Sequence, residues 1–428
     1  MANILFIFNQ AIIANDIKNL ICFYDGIINS LIDSGNNVCV LNKIYAKHIG
    51  RENIQRIKEF NPDLIIAFNN AIFSEIIKNT QCPILVYAAD TYNFFEKKDL
   101  INKYRERYYF ATTDFDTDDY EAYFQKNRLI SLHPATAIKY DNLEKRNNIS
   151  FIGEPFGYDV VPQEFNNKVY QALLECYKTG NYDYENLLKK QSIDCNLTQS
   201  QIWGAFDIRV SILNTLLELG LNLYGLYWDR LSPLNNQLTL AFNNTPVYSL
   251  KHNQDIYNSS FININIQHPQ NKGKGMAWRV YDIMASSGLL ISHQSTLLNQ
   301  LTKGHVAIPM FNSPLEAADL CRKYLKEEHL REDIISASNE FIKKYGRWED
   351  NFEAISDITG VKLLNNEKGK GEISFIENKN AIVKKKSRVV NVRNGYRLIL
   401  SNLPIIEKLY TDKKLKKLYS SIDEYRLI

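Results

Sequence analysis

The chain has 428 residues, of which 45% are hydrophobic and 23% are charged, and its formal net charge at pH 7 is +3. This length exceeds the usual size of one hydrophobic core, so two domains are expected, and the composition excludes disorder over most of the chain. No apolar run approaches the ~20 residues that cross a bilayer, the N-terminal segment lacks the features of a signal peptide, and the six cysteines show no metal-ligand spacing. We therefore expect a cytoplasmic protein without a bound metal.

The first third of the chain alternates apolar, β-favouring runs with helix-like stretches. Parallel strands that are covered on both faces have continuous apolar sequences, so this alternation predicts a doubly wound parallel sheet. We assign residues 1–138 to an N-terminal Rossmann-like domain. Its predicted strands are 3–9, 36–41, 63–68, 83–88, 108–112 and 129–133, and its predicted helices are 17–34, 52–59 and 71–78.

A polar segment, 139–148, then interrupts the pattern and is predicted to be a linker. A second Rossmann-like domain is predicted over 149–345. Helical sequence continues through 346–363, and 364–428 is predicted to be a basic C-terminal extension. The predicted strands of the second domain are 149–153, 221–225, the two that bound the loop described next, and 305–311.

The stretch 260–293 reads as a buried strand, a loop with glycine and lysine, a helix that opens near Arg279, and a second strand after Gly288. A guanidinium, two ammonium groups and backbone amides around one helix start favour an anion such as a diphosphate. Asp282, one turn after Arg279, could accept hydrogen bonds from a ribose diol. The alternative is an ordinary strand–loop–helix–strand unit with solvated lysines, because short glycine motifs have a high false-positive rate.

Four segments carry a resemblance to the CgeB-like (spore-maturation-type) glycosyltransferases, which are GT-B enzymes of group 1. The segments are RNNISFIGEPFG (146–157), LNLYGLYWDRL (221–231), SFININIQ with RVYDIMASSGLLIS (260–292) and KKYGRWEDNFEAI (343–355). The resemblance covers about 90–358. It implies an α/β fold of two Rossmann-like domains with a cleft between them, and a terminal helix that crosses back to the first domain. It also implies sugar transfer from a nucleotide-sugar donor without an obligatory metal or other cofactor.

The resemblance places donor binding in the second domain. Cationic groups there would stabilise the nucleoside diphosphate as its charge grows in the transition state, and glycines would allow close backbone approach. Asp282 stands where the family usually has glutamate, so its ribose contact would be shorter but chemically similar. Lys274 stands where retaining GT-B enzymes often have glutamate, so the resemblance implies no stereochemical outcome. The candidate donor-binding residues are Gly153, His268, Lys272, Gly273, Lys274, Arg279 and Asp282.

The first domain would then supply the catalytic and acceptor-binding groups. Asp90 follows the predicted strand 83–88 and is a candidate general base, with a helix N-cap as the alternative. His133 follows a later strand near the linker and is the second catalytic candidate, with a structural histidine as the alternative. Asn9 and Gln10 follow the first strand and are candidate acceptor contacts, with turn chemistry as the alternative.

Charge is unevenly placed along the chain. From Lys368 onward there are 15 basic and 6 acidic residues, against 36 and 42 before it. The helix-like segment 405–422 is compatible with a helix docked on the core and with a basic amphipathic contact to an anionic membrane. No nucleic-acid partner is expected, because such proteins usually spread positive charge over a folded face.

The leading expectation is a bacterial hexosyl- or related transferase for cell-surface polysaccharide or glycoprotein biosynthesis. Its acceptor would be a glycan, a lipid-linked glycan or a protein, and the basic tail would allow peripheral contact with the inner face of the plasma membrane. Three alternatives remain: a phosphorylase or epimerase with the same cleft, a non-catalytic nucleotide- or sugar-binding module, and a membrane-docking scaffold.

Overall fold

The computed structural model contains two parallel sheets joined by a linker over 132–146, which starts earlier than the predicted 139–148. Among the residues it describes, no helix is long and apolar enough to cross a bilayer. The described residues are 1–10, 20–43, 46–88, 98–113, 125–155, 172, 175, 184–192, 197–228, 236–243, 247–268, 276–365, 369 and 371–377.

The first sheet has the strand order β12-β2-β1-β3-β4-β5-β6, and each of its pairings is parallel. Its predicted strands are confirmed to within two residues at each end. The strands are β1 (Asn3–Phe8), β2 (Asn37–Asn42), β3 (Leu64–Phe68), β4 (Ile84–Ala88), β5 (Tyr108–Thr112), β6 (Leu129–Ser131) and β12 (Ile373–Phe375). The helices described with them are α1 (Cys22–Asp33), α2 (Arg51–Phe60), α3 (Ser74–Asn79) and α4 (Lys98–Lys103).

Both faces of this sheet are covered, which explains the continuous apolar sequence of its strands. Successive side chains of a strand point to opposite faces. In β1, Phe6 and Phe8 accordingly pack in one hydrophobic cluster, whereas Leu5 and Ile7 pack in another. All four are fully buried. The two clusters hold the sheet between two layers of helices.

The second sheet has the order β11-β10-β9-β7-β8 and is also parallel throughout. The strands are β7 (Asn147–Ile152), β8 (Leu221–Tyr224), β9 (Ser260–Asn265), β10 (Leu289–His293) and β11 (Met310–Phe311). The helices described with them are α5 (Tyr184–Lys190), α6 (Leu197–Thr215), α7 (Asn236–Leu240), α8 (Leu250–Asn258), α9 (Arg279–Met284), α10 (Thr296–Thr302), α11 (Pro314–Lys326) and α12 (Glu328–Tyr345).

The helix after α12 belongs to the core of the first domain. In α13 (Trp348–Thr359), the side chains of Trp348, Phe352 and Ile355 are buried in the cluster that also holds Phe6. The chain therefore crosses back after completing the second domain. Two parallel α/β domains with this returning helix confirm the predicted GT-B fold class.

The chain continues from α13 along the first domain and adds β12 to the edge of its sheet. Ile373 pairs with Val38, and Asn36 connects this segment to the domain by donating a hydrogen bond from Nδ2 to the Leu363 carbonyl. Residues 364–428 are predicted to form an extension, whereas residues 371–377 belong to the fold. Residues 378–428, with most of the basic tail, lie outside the described residues.

The strand orders locate the two places where a ligand would fit. In the first sheet the order reverses at β1 and β3, and in the second it reverses at β7 and β9. In open parallel sheets, ligands bind outside the carboxyl ends of the strands at this switch point. Asn9 and Gln10 follow β1, while Gly153 follows β7 and His268 lies just beyond β9.

Candidate functional site

Three of the predicted donor residues come together at the switch point of the second sheet. Gly153 follows β7, and Arg279 is the first residue of α9. A Cβ atom added to Gly153 would lie 3.5 Å from Arg279 Nη1. His268 lies just beyond β9, and burial, followed by the charges of Arg209 and Arg279, lowers the pKa of its imidazole. The geometry thus brings a guanidinium and an imidazole to the place where the strand order predicts a ligand.

Arg279 has a buried hydrogen-bond donor that no described residue accepts. Its Cζ lies 5.3 Å from the ring centroid of Phe151, which is fully buried. Its Nη1 atom is buried and has no hydrogen-bond partner among the described residues. Burial also lowers the pKa of Arg279. A buried donor without an acceptor is costly, so an anionic ligand that supplies one would be stabilised here.

Gly153 keeps the space between Phe151 and Arg279 free of a side chain. A Cβ atom there would lie 2.9 and 3.0 Å from atoms of the Phe151 ring, so that the ring would have to shift. The backbone is fixed on both sides: its N–H donates to the Tyr224 carbonyl at 3.0 Å, and its carbonyl accepts from Trp228 Nε1 at 2.8 Å. Gly225, with φ of +116°, passes so close that a side chain would clash with the Gly153 carbonyl. Gly153 therefore presents a fixed backbone without a side chain at the end of β7.

A second arginine, which is not among the predicted donor residues, lies in this site. Arg209 lies in α6, is 3% exposed, and has its Cζ 5.5 Å from the ring centroid of Phe151. Its Nη1 donates to the Glu154 carbonyl. Two guanidinium groups therefore lie beside one aromatic ring. The available signal is a basic residue in the mostly apolar segment from Ile208 to Leu213, whose pattern predicts only a helix.

His268 completes this group without adding charge. Burial, followed by the positive charges of Arg209 and Arg279, lowers the pKa of His268 to about 3. The imidazole is therefore neutral near pH 7 and can exchange hydrogen bonds as a neutral ring. Among the described residues, the positive potential of the site comes from the two arginines.

Asp282 has partners on both carboxylate oxygens. Thr136 Oγ1 in the linker donates to Oδ1 at 2.5 Å, and Cys22 Sγ in α1 lies 3.8 Å from Oδ2. Burial raises the pKa of Asp282 to about 6, although these hydrogen bonds and the charges of Arg279 and Arg347 oppose the shift. The carboxylate joins the donor domain to the linker and to the first domain. Its predicted contact with ribose stays a prediction.

On the acceptor side, Gln10 is buried and its contacts are internal. Its N–H donates to Asn42 Oδ1, Asn42 Nδ2 donates back to the Gln10 carbonyl, and Gln10 Oε1 accepts from the Ile21 N–H. Gln10 thus fixes the entry to α1. The neighbouring Asn9 is half-buried. Contact of either residue with an acceptor stays a prediction.

His133 is exposed, and Asn351 of α13 holds its backbone: the His133 N–H donates to Asn351 Oδ1, and Asn351 Nδ2 donates to the His133 carbonyl.

Four other candidates, Asp90, Lys272, Gly273 and Lys274, lie outside the described residues. Within the described part of the chain, no group of three His, Cys, Asp or Glu side chains is placed to hold a metal.

The two domains meet beside Arg279. Phe23, in the first turn of α1, stacks on Trp278 with ring centroids 3.2 Å apart and an interplanar angle of 16°. Asp25 Oδ2 accepts a hydrogen bond from the Leu250 N–H at 3.0 Å. Because α1 follows β1 and α9 follows β9, this contact brings the carboxyl edges of the two sheets together.

Residues 209–357 match the model of a family described as glycosyl transferase-like. The matched span contains Arg209, His268 and Arg279. No curated protein sequence matches the chain.

Several solved structures are similar to the chain at low sequence identity. Anabaena Alr3699/HepE, in complex with UDP and glucose, is 12% identical over 83% of this chain and 99% of that chain, with a TM-score of 0.43. T4 phage BGT, in complex with its UDP-glucose substrate, is 10% identical over 84% and 100%, with a TM-score of 0.46. A glycosyltransferase from Rickettsia africae ESF-5 is 11% identical over 83% and 98%, with a TM-score of 0.43.

Proposed function

We propose that the chain is a glycosyltransferase that takes its sugar from a nucleotide-sugar donor bound between β7 and β9. The observation that carries the proposal is the buried Nη1 of Arg279, which lacks a partner among the described residues at the switch point of the second sheet. The match of residues 209–357 to a glycosyl transferase-like family supports the same reaction class.

The chemistry of the site suits a diphosphate leaving group. Guanidinium groups bind phosphate oxygens with two parallel hydrogen bonds and stay charged when buried. Arg279 would contact the diphosphate directly, and Arg209, which also lies beside Phe151, would add positive potential. Fixed positive groups in a site that excludes water stabilise charge that develops in the transition state. The arrangement would therefore assist departure of the nucleoside diphosphate.

Three further parts of the proposal are based on the resemblance to CgeB-like enzymes. The transferred sugar would be a hexose or a related sugar, and transfer would require no metal. The acceptor would be a bacterial surface glycan, a lipid-linked glycan or a glycoprotein. Asp282 would contact the ribose, Asp90 would act as general base, and the basic tail would hold the enzyme at the cytoplasmic face of the plasma membrane.

A thermal-shift screen against UDP, GDP, CMP, dTDP and their common sugars tests the donor site. A ligand that binds only the folded state raises the melting temperature by mass action. We expect a nucleotide-specific shift in wild type that disappears in Arg279→Gln. It should persist in Arg322→Gln, because Arg322 is an exposed arginine paired with Asp319 in the same domain. A wild-type protein with no shift for any nucleotide would overturn the proposal.

Turnover distinguishes a transferase from a binding module. The bound nucleotide sugar should release its nucleoside diphosphate slowly to water and faster with a suitable acceptor. Binding of the nucleotide sugar without either release would favour the non-catalytic alternative.

A further inference from the structure

Phe23 is held in place by aromatic side chains of the first domain. Its ring makes edge contacts with Phe68 at 5.5 Å, with Tyr87 at 5.8 Å and with Trp348 at 5.9 Å between centroids. Phe68 and Tyr87 lie near the carboxyl ends of β3 and β4. The first domain thus presents a fixed aromatic face to the second.

Trp278 of the second domain stacks on Phe23 and connects it to the donor site. It directly precedes Arg279, and its carbonyl accepts hydrogen bonds from the N–H groups of Tyr281 at 3.2 Å and Asp282 at 3.5 Å. Trp278 therefore forms the first turn of α9 together with Arg279. A shift of the indole would move the guanidinium.

Helix α9 depends on such contacts for its position. It has six residues, and helices this short have little stability of their own. Besides Trp278, it is tied to the first domain and the linker through Asp282, which contacts Cys22 and Thr136. The position of Arg279 is consequently set by both domains.

We propose that Phe23 is a positioning residue of the donor site. Stacked on Trp278, it holds Arg279 in the orientation that receives the diphosphate, so that the approach of the two domains sets the affinity for the nucleotide. This inference rests on the proposed donor site at Arg279. It makes the acceptor domain part of the nucleotide-binding machinery without any contact between Phe23 and the nucleotide.

Calorimetric titration of UDP, GDP and dTDP, each with its nucleoside, into wild type and Phe23→Leu tests the proposal. An aromatic pair is worth about tenfold in an equilibrium constant, so we expect Phe23→Leu to weaken diphosphate binding about tenfold and nucleoside binding much less. Phe23→Tyr keeps the ring and should restore the affinity. In an Arg279→Gln background, Phe23→Leu should have no further effect, because both changes remove the same interaction.

Phe352→Leu is the matched control. Phe352 is 1% exposed and stacks on Trp348 at 6.1 Å, but makes no ring contact with Trp278 among the described residues. It should lower the melting temperature while leaving diphosphate affinity unchanged. Trp278→Leu removes the other ring of the stack and should likewise weaken diphosphate binding more than nucleoside binding. It serves as the test if Phe23→Leu does not fold.

The outcomes separate the inference from the proposed function. If wild type binds none of the three diphosphates, the donor site itself is wrong and the inference falls with it. If wild type binds and both Phe23→Leu and Trp278→Leu bind equally well, the donor site stands and the positioning role is overturned. An equal loss for diphosphate and nucleoside would also overturn it, because that pattern indicates general damage to the domain.

Discussion

Thr136 in the linker donates a hydrogen bond of 2.5 Å to Asp282 of α9, the helix that begins with Arg279. Arg347, just before α13, donates from Nη1 to the carbonyls of Thr136 and Ile138. Hydrogen bonds thereby connect the linker, the segment between α12 and α13, and helix α9 in one polar network. This network ties the arrangement of the domains to the helix that carries Arg279.

The ionisation of Asp282 should appear in the pH dependence of stability. Burial raises its pKa from 3.8 to about 6. Between about pH 4 and pH 6 the folded protein keeps a proton that the unfolded chain has released. The free energy of unfolding should therefore fall by up to about 3 kcal/mol as the pH rises through this window, and this contribution should be constant above it.

Urea denaturation of wild type and Asp282→Asn, compared at several pH values, isolates this contribution. The variant is needed because burial lowers the pKa of His268 and of His293 to about 3. These two histidines make the free energy of unfolding rise with pH, which opposes the effect of Asp282. We expect the variant to gain stability relative to wild type as the pH rises from about 4 to about 6.5. Parallel pH profiles for the two proteins would show that Asp282 does not titrate in this window.

Gly153→Ala should close the donor site. The added methyl group would press on the Phe151 ring and would fill the space beside Arg279 Nη1, 3.5 Å away. We expect a loss of about 1–3 kcal/mol in the free energy of unfolding, together with loss of the nucleotide-induced thermal shift. Gly304→Ala is the control: φ is +79° and nothing lies within 4 Å of the added Cβ, so it should cost about 1 kcal/mol and keep the nucleotide response. A normal nucleotide shift in Gly153→Ala would contradict the assigned site.

Asn351→Ala should loosen the crossing helix from the first domain. Asn351 is 2% exposed and satisfies both backbone groups of His133. Its removal leaves an N–H and a carbonyl without these partners, at a cost of about 2–3 kcal/mol. Chemical denaturation measures this cost, with the exposed Asn299→Ala as a control expected within about 0.5 kcal/mol of wild type. Equal stability of the two variants would argue against this anchoring role.

Asn36→Ala should release the strand that the chain adds after α13. Asn36 is fully buried, donates to the carbonyls of Leu31 and Leu363, and accepts from Asn365 Nδ2. We expect a loss of about 3 kcal/mol or more, and faster hydrogen exchange in β12 than in the central strand β4. Uniformly faster exchange in both strands would show that β12 does not open separately.

The strands of the first domain could be predicted because each is a continuous apolar run bounded by polar residues. β12 could not, because Ile373 is 43% exposed and the strand pairs on one side only, with β2. β11 is shorter than the predicted strand 305–311, since only Met310 and Phe311 pair with β10. Pro309, which has no N–H to donate, directly precedes this pair.

The candidate site was predictable only where a residue follows a predicted strand or begins a predicted helix. Gly153 follows β7 and Arg279 begins α9, and both lie at the switch point. Arg209 converges on Phe151 through the packing of α6, which no local pattern encodes. The partners of Asp282 are equally remote, since Thr136 is 146 positions away.

Calorimetric titration of UDP, GDP and dTDP against their nucleosides, in wild type and in Arg279→Gln, tests the central claim most directly. The account predicts that at least one diphosphate binds wild type about tenfold or more tightly than its nucleoside, and that this preference disappears in the variant. A preference that survives in Arg279→Gln, or no binding of any diphosphate to wild type, would contradict it.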